Sequence, residues 1–183
     1  MGNAIYLVNN FKVKQVIFNN GEYNDLELSL IEVLREKNIS YYQNIEELNI
    51  GNNIFYFLND ELHDDENDSS NVIYTELNNY KLLFMGDAGI ELEEVLLNKY
   101  NLKDIDILKV GHHGSKTSSS KEFITEVNPK YSLISVGKNN RYGHPNSEVL
   151  ENLDDSAIYR TDEDGSVMFT IKNNKLEIGT CPP

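Results

Sequence analysis

Apolar positions Ala4, Ile5, Leu7, Val8 and Phe11 recur at helical spacing. They predict an amphipathic helix over residues 3–11 that begins inside its own pattern, with no N-cap ahead of it. Residues 13–18 then alternate into a strand closed by the turn signal Asn19-Asn20-Gly21. Asn24 and Glu27 stand at capping-box spacing before Leu26, Leu30, Ile31, Val33 and Leu34, the apolar face of a second helix. Residues 39–43 and 53–58 read as strands, and residues 72–77 and 81–85 flank Asn78-Asn79 as a hairpin. Residues 90–100 form the next helix, with Leu92, Val95 and Leu96 on one face. Glu91, Glu93 and Glu94 lie in its first turns, where the helix dipole favours them.

The remaining pattern alternates. A strand is predicted at 105–110, then a short helix around Phe123, Ile124 and Val127 that ends at Asn128-Pro129. A strand at 131–136, a helix at 147–153 and a strand at 157–160 follow. A turn at 162–165 and strands at 167–171 and 176–178 close the chain. Strands and helices alternating in the middle, with hairpins toward the ends, imply a single layered α/β (α+β) domain built on a mixed sheet.

Chemistry gathers where these strands end. The run from Lys81 stops at Gly86-Asp87-Ala88-Gly89, and the run from Ile105 stops at Gly111-His112-His113-Gly114-Ser115. His144 lies in the Gly/Pro-bounded loop after the strand at 131–136, so three of the four histidines fall at consecutive strand exits. Ligand sites of layered α/β folds lie beyond such strand ends. Asp87 in Gly-Asp-Ala-Gly also suits a helix N-cap. Two histidines between glycines in a loop are poor packing material, and neighbouring residues there point in different directions. At most one of the pair is therefore expected to touch a metal directly, while the other orients a neighbour or contacts substrate. Imidazole and carboxylate together suit zinc or manganese and water-activating chemistry at phosphorus. Ser115, Lys116 and Thr117 are candidate ligands for a phosphate oxygen. The acidic stretch 59–70 adds His63 among carboxylates, but no strand end organises it, and it reads as a solvated loop.

Composition narrows the classes. At 183 residues the chain makes one domain with a real core. No apolar run approaches membrane-spanning length, and no basic segment followed by an apolar one opens the sequence. The lone Cys181 excludes an internal disulfide and a thiolate zinc site. A net charge of −14 argues against broad attraction to nucleic acid, although bound cations and Lys109, Lys116 and Lys121 would reverse the field locally. Asp87, His113 and His144 do not complete a two-metal site. Either one ion binds weakly here, or further ligands lie on sequence outside this chain.

Several segments carry a resemblance. These are Asn71-Val72-Ile73, then Leu83-Phe84-Met85-Gly86-Asp87, then Leu108-Lys109-Val110-Gly111-His112-His113-Gly114-Ser115-Lys116-Thr117-Ser118, then Ile134-Ser135-Val136-Gly137, Asn140-Arg141-Tyr142-Gly143-His144-Pro145, and Tyr159-Arg160-Thr161-Asp162-Glu163-Asp164-Gly165-Ser166-Val167. Together they resemble the metallo-β-lactamase-like domain of ComEC-type competence proteins and related stand-alone hydrolases. The resemblance implies an αββα sandwich with metals at the edge between two sheets. It makes Asp87 the bridging aspartate and His113 the metal ligand of the pair. His112 and His144 stand near the site as catalytic candidates, and Ser69, Ser70 and Asn71 match a polar stretch that lines it. Ser70, Asn71, Ser115 and Lys116 are thus the expected substrate contacts.

The family's His-x-Asp-x-Asp-His motif, which in relatives stands just before a helix like Met1-Gly2-Asn3-Ala4-Ile5, is absent. The expectation is an N-terminally truncated domain, the C-terminal two-thirds of the family unit. Such a chain would hold its divalent metal weakly and be impaired as a phosphodiesterase or nuclease. The alternative is a non-catalytic binding or structural remnant module. Loss of the first sheet would leave an apolar face that favours homo-oligomers. The family association places such domains on the extracytoplasmic side of a bacterial membrane or outside the cell.

Overall fold

The computed structural model describes residues 3–61 and 65–182. Its frame is a seven-stranded mixed sheet in the order β3(Glu47–Ile50), β4(Asn53–Phe57), β5(Ile73–Leu77), β6(Tyr80–Phe84), β7(Ile107–Lys109), β8(Tyr131–Ile134), β9(Ala157–Arg160). The first four strands meander antiparallel, and β6 to β9 run parallel. Parallel neighbours need a crossover, which α3(Ile90–Lys99), α4(Lys121–Val127) and α5(Ser147–Asn152) supply. The carboxyl ends of β6, β7 and β8 therefore lie side by side, and the loops leaving them share one edge.

Facing residues decide what covers each side. Leu83 and Leu108 on the sheet meet Leu92 and Leu96 of α3, Phe123, Ile124 and Val127 of α4, and Val149 of α5 in the main core. On the opposite face the hairpin β10(Ser166–Lys172) and β11(Lys175–Cys181) sets Phe169 edge-on to Tyr131 and Tyr159. A second apolar cluster joins α1(Ala4–Asn10), β1(Gln15–Ile17), α2(Asp25–Glu36) and β2(Ser40–Tyr42) around Phe18, Leu30, Ile31 and Leu34. There β1 and β2 pair in parallel across α2. Among the described residues the strands outside the seven-stranded sheet are thus two separate two-stranded pairs, β1-β2 and β10-β11.

Local signals account for most boundaries. Asn24 accepts the amides of Leu26 and Glu27, and Glu27 accepts that of Asn24, so the expected capping box forms. Asn78 and Asn79 both take positive φ, as a tight hairpin turn with right-handed strands requires. Three expectations change. Residues 47–50 pair with β4 as a short edge strand, whose alternation Glu47-Leu48-Asn49-Ile50 spans only two apolar residues. Residues 161–164 coil into a short helix, α6(Thr161–Asp164), where Asp164 accepts the Arg160 amide and Asp162 pairs with its guanidinium. The acidic stretch, lastly, is anchored at both ends. Asn59 donates to the carbonyls of Asp68 and Ser70, and the Asp68 carboxylate accepts the Gly89 amide at 2.8 Å. Tertiary partners thus replace the strand end whose absence made it read as solvated. His63 lies outside the described residues.

Exposed Tyr6 and Leu7 on α1, Phe11 just after it, and Leu26 and Leu28 on α2 leave apolar surface at the outer side of the second cluster. No helix among the described residues is long and apolar enough to cross a membrane.

Candidate metal centre

Asp87 is delivered by a turn, not by a helix cap. After β6 the chain reverses through Gly86 at φ +60°, a conformation that an L side chain resists. A Cβ on Gly86 would also meet the Ser70 Cβ at 2.8 Å. That close approach lets Ser70 Oγ accept the Asp87 amide at 3.0 Å. The cap position of α3 belongs to Gly89, so the N-cap use that Asp87 also suited is not realised and its carboxylate faces outward, half-exposed. The Gly86 carbonyl accepts both the His112 amide (3.1 Å) and Lys109 Nζ (2.9 Å), which ties the exits of β6 and β7 together. Burial pushes the Lys109 ammonium below its ordinary range, against the opposing pull of Asp87.

The histidine pair stands in strained backbone. His112 (φ 43°, ψ 42°) and His113 (φ 56°, ψ 21°) are both left-handed, followed by Gly114 at φ 78°. Consecutive non-glycine residues there cost free energy that surrounding contacts must offset, a condition that concentrates at functional sites. The contacts are visible. The His112 carbonyl accepts the Ser115 amide, Ser118 Oγ donates to the Gly111 carbonyl, and Gly114 lies against Pro145.

This backbone aims the two rings differently, as adjacent positions should. His113 Nδ1 lies 2.6 Å from the Ser135 carbonyl and Nε2 lies 3.6 Å from Asp87 Oδ1. A carbonyl only accepts, so Nδ1 carries the proton. With Nδ1 so engaged, Nε2 is the ring nitrogen turned toward the Asp87 carboxylate, and its lone pair is the one that could ligate an ion there. A carbonyl that fixes the tautomer of a ligating imidazole is the usual outer support of a metal histidine. The donor set and its orientation fit a divalent ion held by Asp87 and His113. Among the described residues, no group of three or more His, Cys, Asp or Glu converges on one point.

His112 turns the other way, with Nδ1 3.4 Å from Thr117 Oγ1 and its ring centre 6.0 Å from that of His144. His144 is brought in by Asn140, whose Oδ1 accepts the amides of Tyr142 and His144 and whose Nδ2 donates to the His144 carbonyl. The Asn146 amide then bonds the Gly114 carbonyl, docking this loop on the histidine loop. Burial, then the neighbouring His112 and His113, hold His144 below the ordinary imidazole range.

Of the expected substrate contacts, Lys116 is exposed and lines a 530 Å³ cleft with His112, Thr117, Gly89 and Asp68. Ser115 is buried, its hydroxyl 3.0 Å from that of Thr117. Ser70 holds the Asp87 backbone and borders a second hollow of 360 Å³ that reaches from Ala4 to Asp87. Asn71 is half-buried beside Gly86, its carbonyl 3.5 Å from where a Gly86 Cβ would stand.

Two supporting residues escaped sequence reasoning. Glu93, read as a helix-dipole acid, is buried and accepts the amides of Ser119 and Ser120, fastening the serine loop to α3. Ser135 acts through its backbone carbonyl, which leaves no signature in side-chain identity. For Glu93 the only signal was position, since it shares the inward face with Leu92 and Leu96.

Comparison with known proteins is consistent with this geometry. Residues 1–138 match the sequence profile of the family described as Metallo-beta-lactamase superfamily. The chain is 34% identical to ComE operon protein 3 of Bacillus subtilis (strain 168), over 100% of this chain and 24% of that protein. It is 36% identical to Recombination protein 2 of Haemophilus influenzae, over 62% of this chain and 14% of that one. It is 38% identical to Competence protein ComA of Neisseria gonorrhoeae, over 57% of this chain and 16% of that one. The chain thus spans a quarter or less of the length of each relative.

Proposed function

Because the chain belongs to the metallo-β-lactamase superfamily, we propose that its site is that of a divalent-metal phosphodiesterase, with zinc or manganese held by Asp87 and His113. The observation that carries this reading is the His113 ring, its Nδ1 fixed by the Ser135 carbonyl and its Nε2 directed at the Asp87 carboxylate. A divalent ion held by these two side chains would supply Lewis-acid chemistry toward a phosphoryl oxygen and toward water. Everything else falls to the chain's own groups. His144, held below the ordinary imidazole range by burial and two neighbouring imidazoles, accepts or returns a proton at the reacting phosphate. His112 shares that duty from 6.0 Å away, its other nitrogen occupied by Thr117. Lys116 meets a phosphate oxygen from the wall of the cleft, and Ser70 keeps Asp87 in place. The words recombination and competence in the relatives' names favour a nucleic-acid phosphodiester.

With two ligands converging, this chain holds its ion weakly and turns over slowly. A 360 Å³ hollow between Ala4 and Asp87 opens beside the two ligands. Calorimetric titration of Mn²⁺ and Zn²⁺ into the chain tests the assignment. Asp87→Asn and His113→Ala should each weaken binding at least about tenfold, in keeping with loss of a metal contact. Equal binding by wild type and both variants, or no binding by any, would overturn the reading. Binding without hydrolysis of a chromogenic phosphodiester would instead favour the non-catalytic module.

A further inference from the structure

We propose that Tyr142, with Arg141, is a stacking platform for an unpaired nucleobase next to the phosphate handled at the candidate metal centre. The inference rests on the phosphodiester reading above and adds the substrate class: single-stranded rather than duplex nucleic acid.

Tyr142 is the most exposed large apolar side chain among the described residues, with 66% of its surface open. It is not a floppy surface aromatic. Asn140 Oδ1 accepts its amide, and the same oxygen accepts that of His144, so the ring and the imidazole stand on one pinned loop. Their planes are nearly parallel, 16° apart with centres 5.8 Å apart, and the His144 ring is in turn 6.0 Å from that of His112. The His112 ring meets His144 edge-on at 61°, and His144 in turn lies parallel to Tyr142, so a chain of rings in contact leads outward from the reacting edge to Tyr142. The Arg141 guanidinium lies 4.8 Å from the tyrosine ring centre, and its Nη2 donates to the Tyr142 hydroxyl at 2.6 Å.

An exposed, preorganised aromatic beside a guanidinium suits a base. Each base has a π-face, arginine planes stack on bases as well, and the cation also meets the backbone phosphate. Arg141 is itself exposed, so a base enters between guanidinium and ring or takes the guanidinium's place on the ring. Stacking also answers the charge problem. A chain of net charge −14 gains little from a broad basic surface, and a neutral contact supplies affinity without one. In a duplex the bases are already stacked on each other and hidden from such a ring, so the platform selects unpaired strands.

The test compares three fluorescein-labelled probes by anisotropy: a short oligothymidylate, an abasic strand with the same number of phosphates, and a duplex of equal length. Wild type should bind oligothymidylate roughly tenfold more tightly than the abasic strand, the scale of one base–aromatic stack. Tyr142→Ala should erase that difference and leave abasic binding as it was, while Tyr142→Phe should keep it. Circular dichroism establishes that each variant is folded. If Tyr142→Ala retains the preference, if Tyr142→Phe loses it, or if the duplex binds best, the platform is refuted. Equal wild-type binding of oligothymidylate and abasic strand sinks the platform alone. Failure of every probe to bind wild type sinks the phosphodiester reading with it.

Discussion

Replacing Gly86 by alanine should unsettle both the fold and the site, and the geometry sets the size of the effect. The backbone at φ +60° costs a non-glycine residue about 1–2 kcal/mol by itself. The added Cβ would stand 2.8 Å from Ser70 Cβ and 3.0 Å from Ser70 Oγ, so Ser70 has to move. It cannot move freely, because its carbonyl accepts Asn59 Nδ2 at 3.0 Å and its hydroxyl accepts the Asp87 amide. Losing the latter bond costs about another 1 kcal/mol. The sum is roughly 2–3 kcal/mol from strain and the broken bond. Urea unfolding followed by circular dichroism measures it. A double-mutant cycle separates the parts: Ser70→Gly removes the clashing Cβ, so Gly86→Ala should cost less in that background, while the φ penalty remains. Metal titration of Gly86→Ala should also show weaker binding, since the displaced peptide is the one that carries Asp87. A Gly86→Ala stability within about 0.5 kcal/mol of wild type, or a cost unchanged by Ser70→Gly, would refute the reasoning.

Two further outcomes follow from groups that hold the site's loops. Burial raises the Glu93 carboxyl above the ordinary glutamate range despite the Ser119 and Ser120 amides it accepts. Between that range and its raised value, the folded chain keeps a proton that the unfolded chain has released, so this residue makes stability fall as pH rises. Subtracting the urea-derived stability of Glu93→Gln from that of wild type across the weakly acidic range should expose this negative slope, and a flat difference would contradict it. Asn140→Ala removes bonds to Gly137, Tyr142 and His144, at a cost of about 1–2 kcal/mol for a half-buried cluster. It should lower the melting temperature and weaken the preference for oligothymidylate over the abasic strand, and a variant with wild-type values for both would show that the loop does not need this residue.

Pattern and tertiary contact divided the information along physical lines. Apolar periodicity and turn chemistry act within a few residues, so the α2 capping box, the Asn78-Asn79 hairpin and the alternation of β6 to β9 with their helices were legible in the sequence. Because parallel strands need crossovers, the same alternation puts Asp87, His112, His113 and His144 at consecutive strand exits. Edge strand β3 announces itself only weakly, because Glu47-Leu48-Asn49-Ile50 offers just two apolar residues in alternation and its strand form comes from pairing with β4. The acidic stretch looked solvated because its anchors, Asn59 to the Asp68 and Ser70 carbonyls and Asp68 to the Gly89 amide, join residues that local reading treats separately. Glu93 likewise matched a helix start so well that its partners 26 and 27 residues onward left no trace.

The sequence by itself determined which elements form and which donor residues the strand exits carry, since both depend on short-range sterics and burial. Only the tertiary structure decided how those donors are held and aimed. Left-handed backbone at His112 and His113, the Ser135 carbonyl that sets the His113 tautomer, and the Ser70 hydroxyl that holds Asp87 all come from elements distant in sequence. A 3.6 Å meeting of imidazole and carboxylate requires three strand exits in register, and register is a property of the folded sheet.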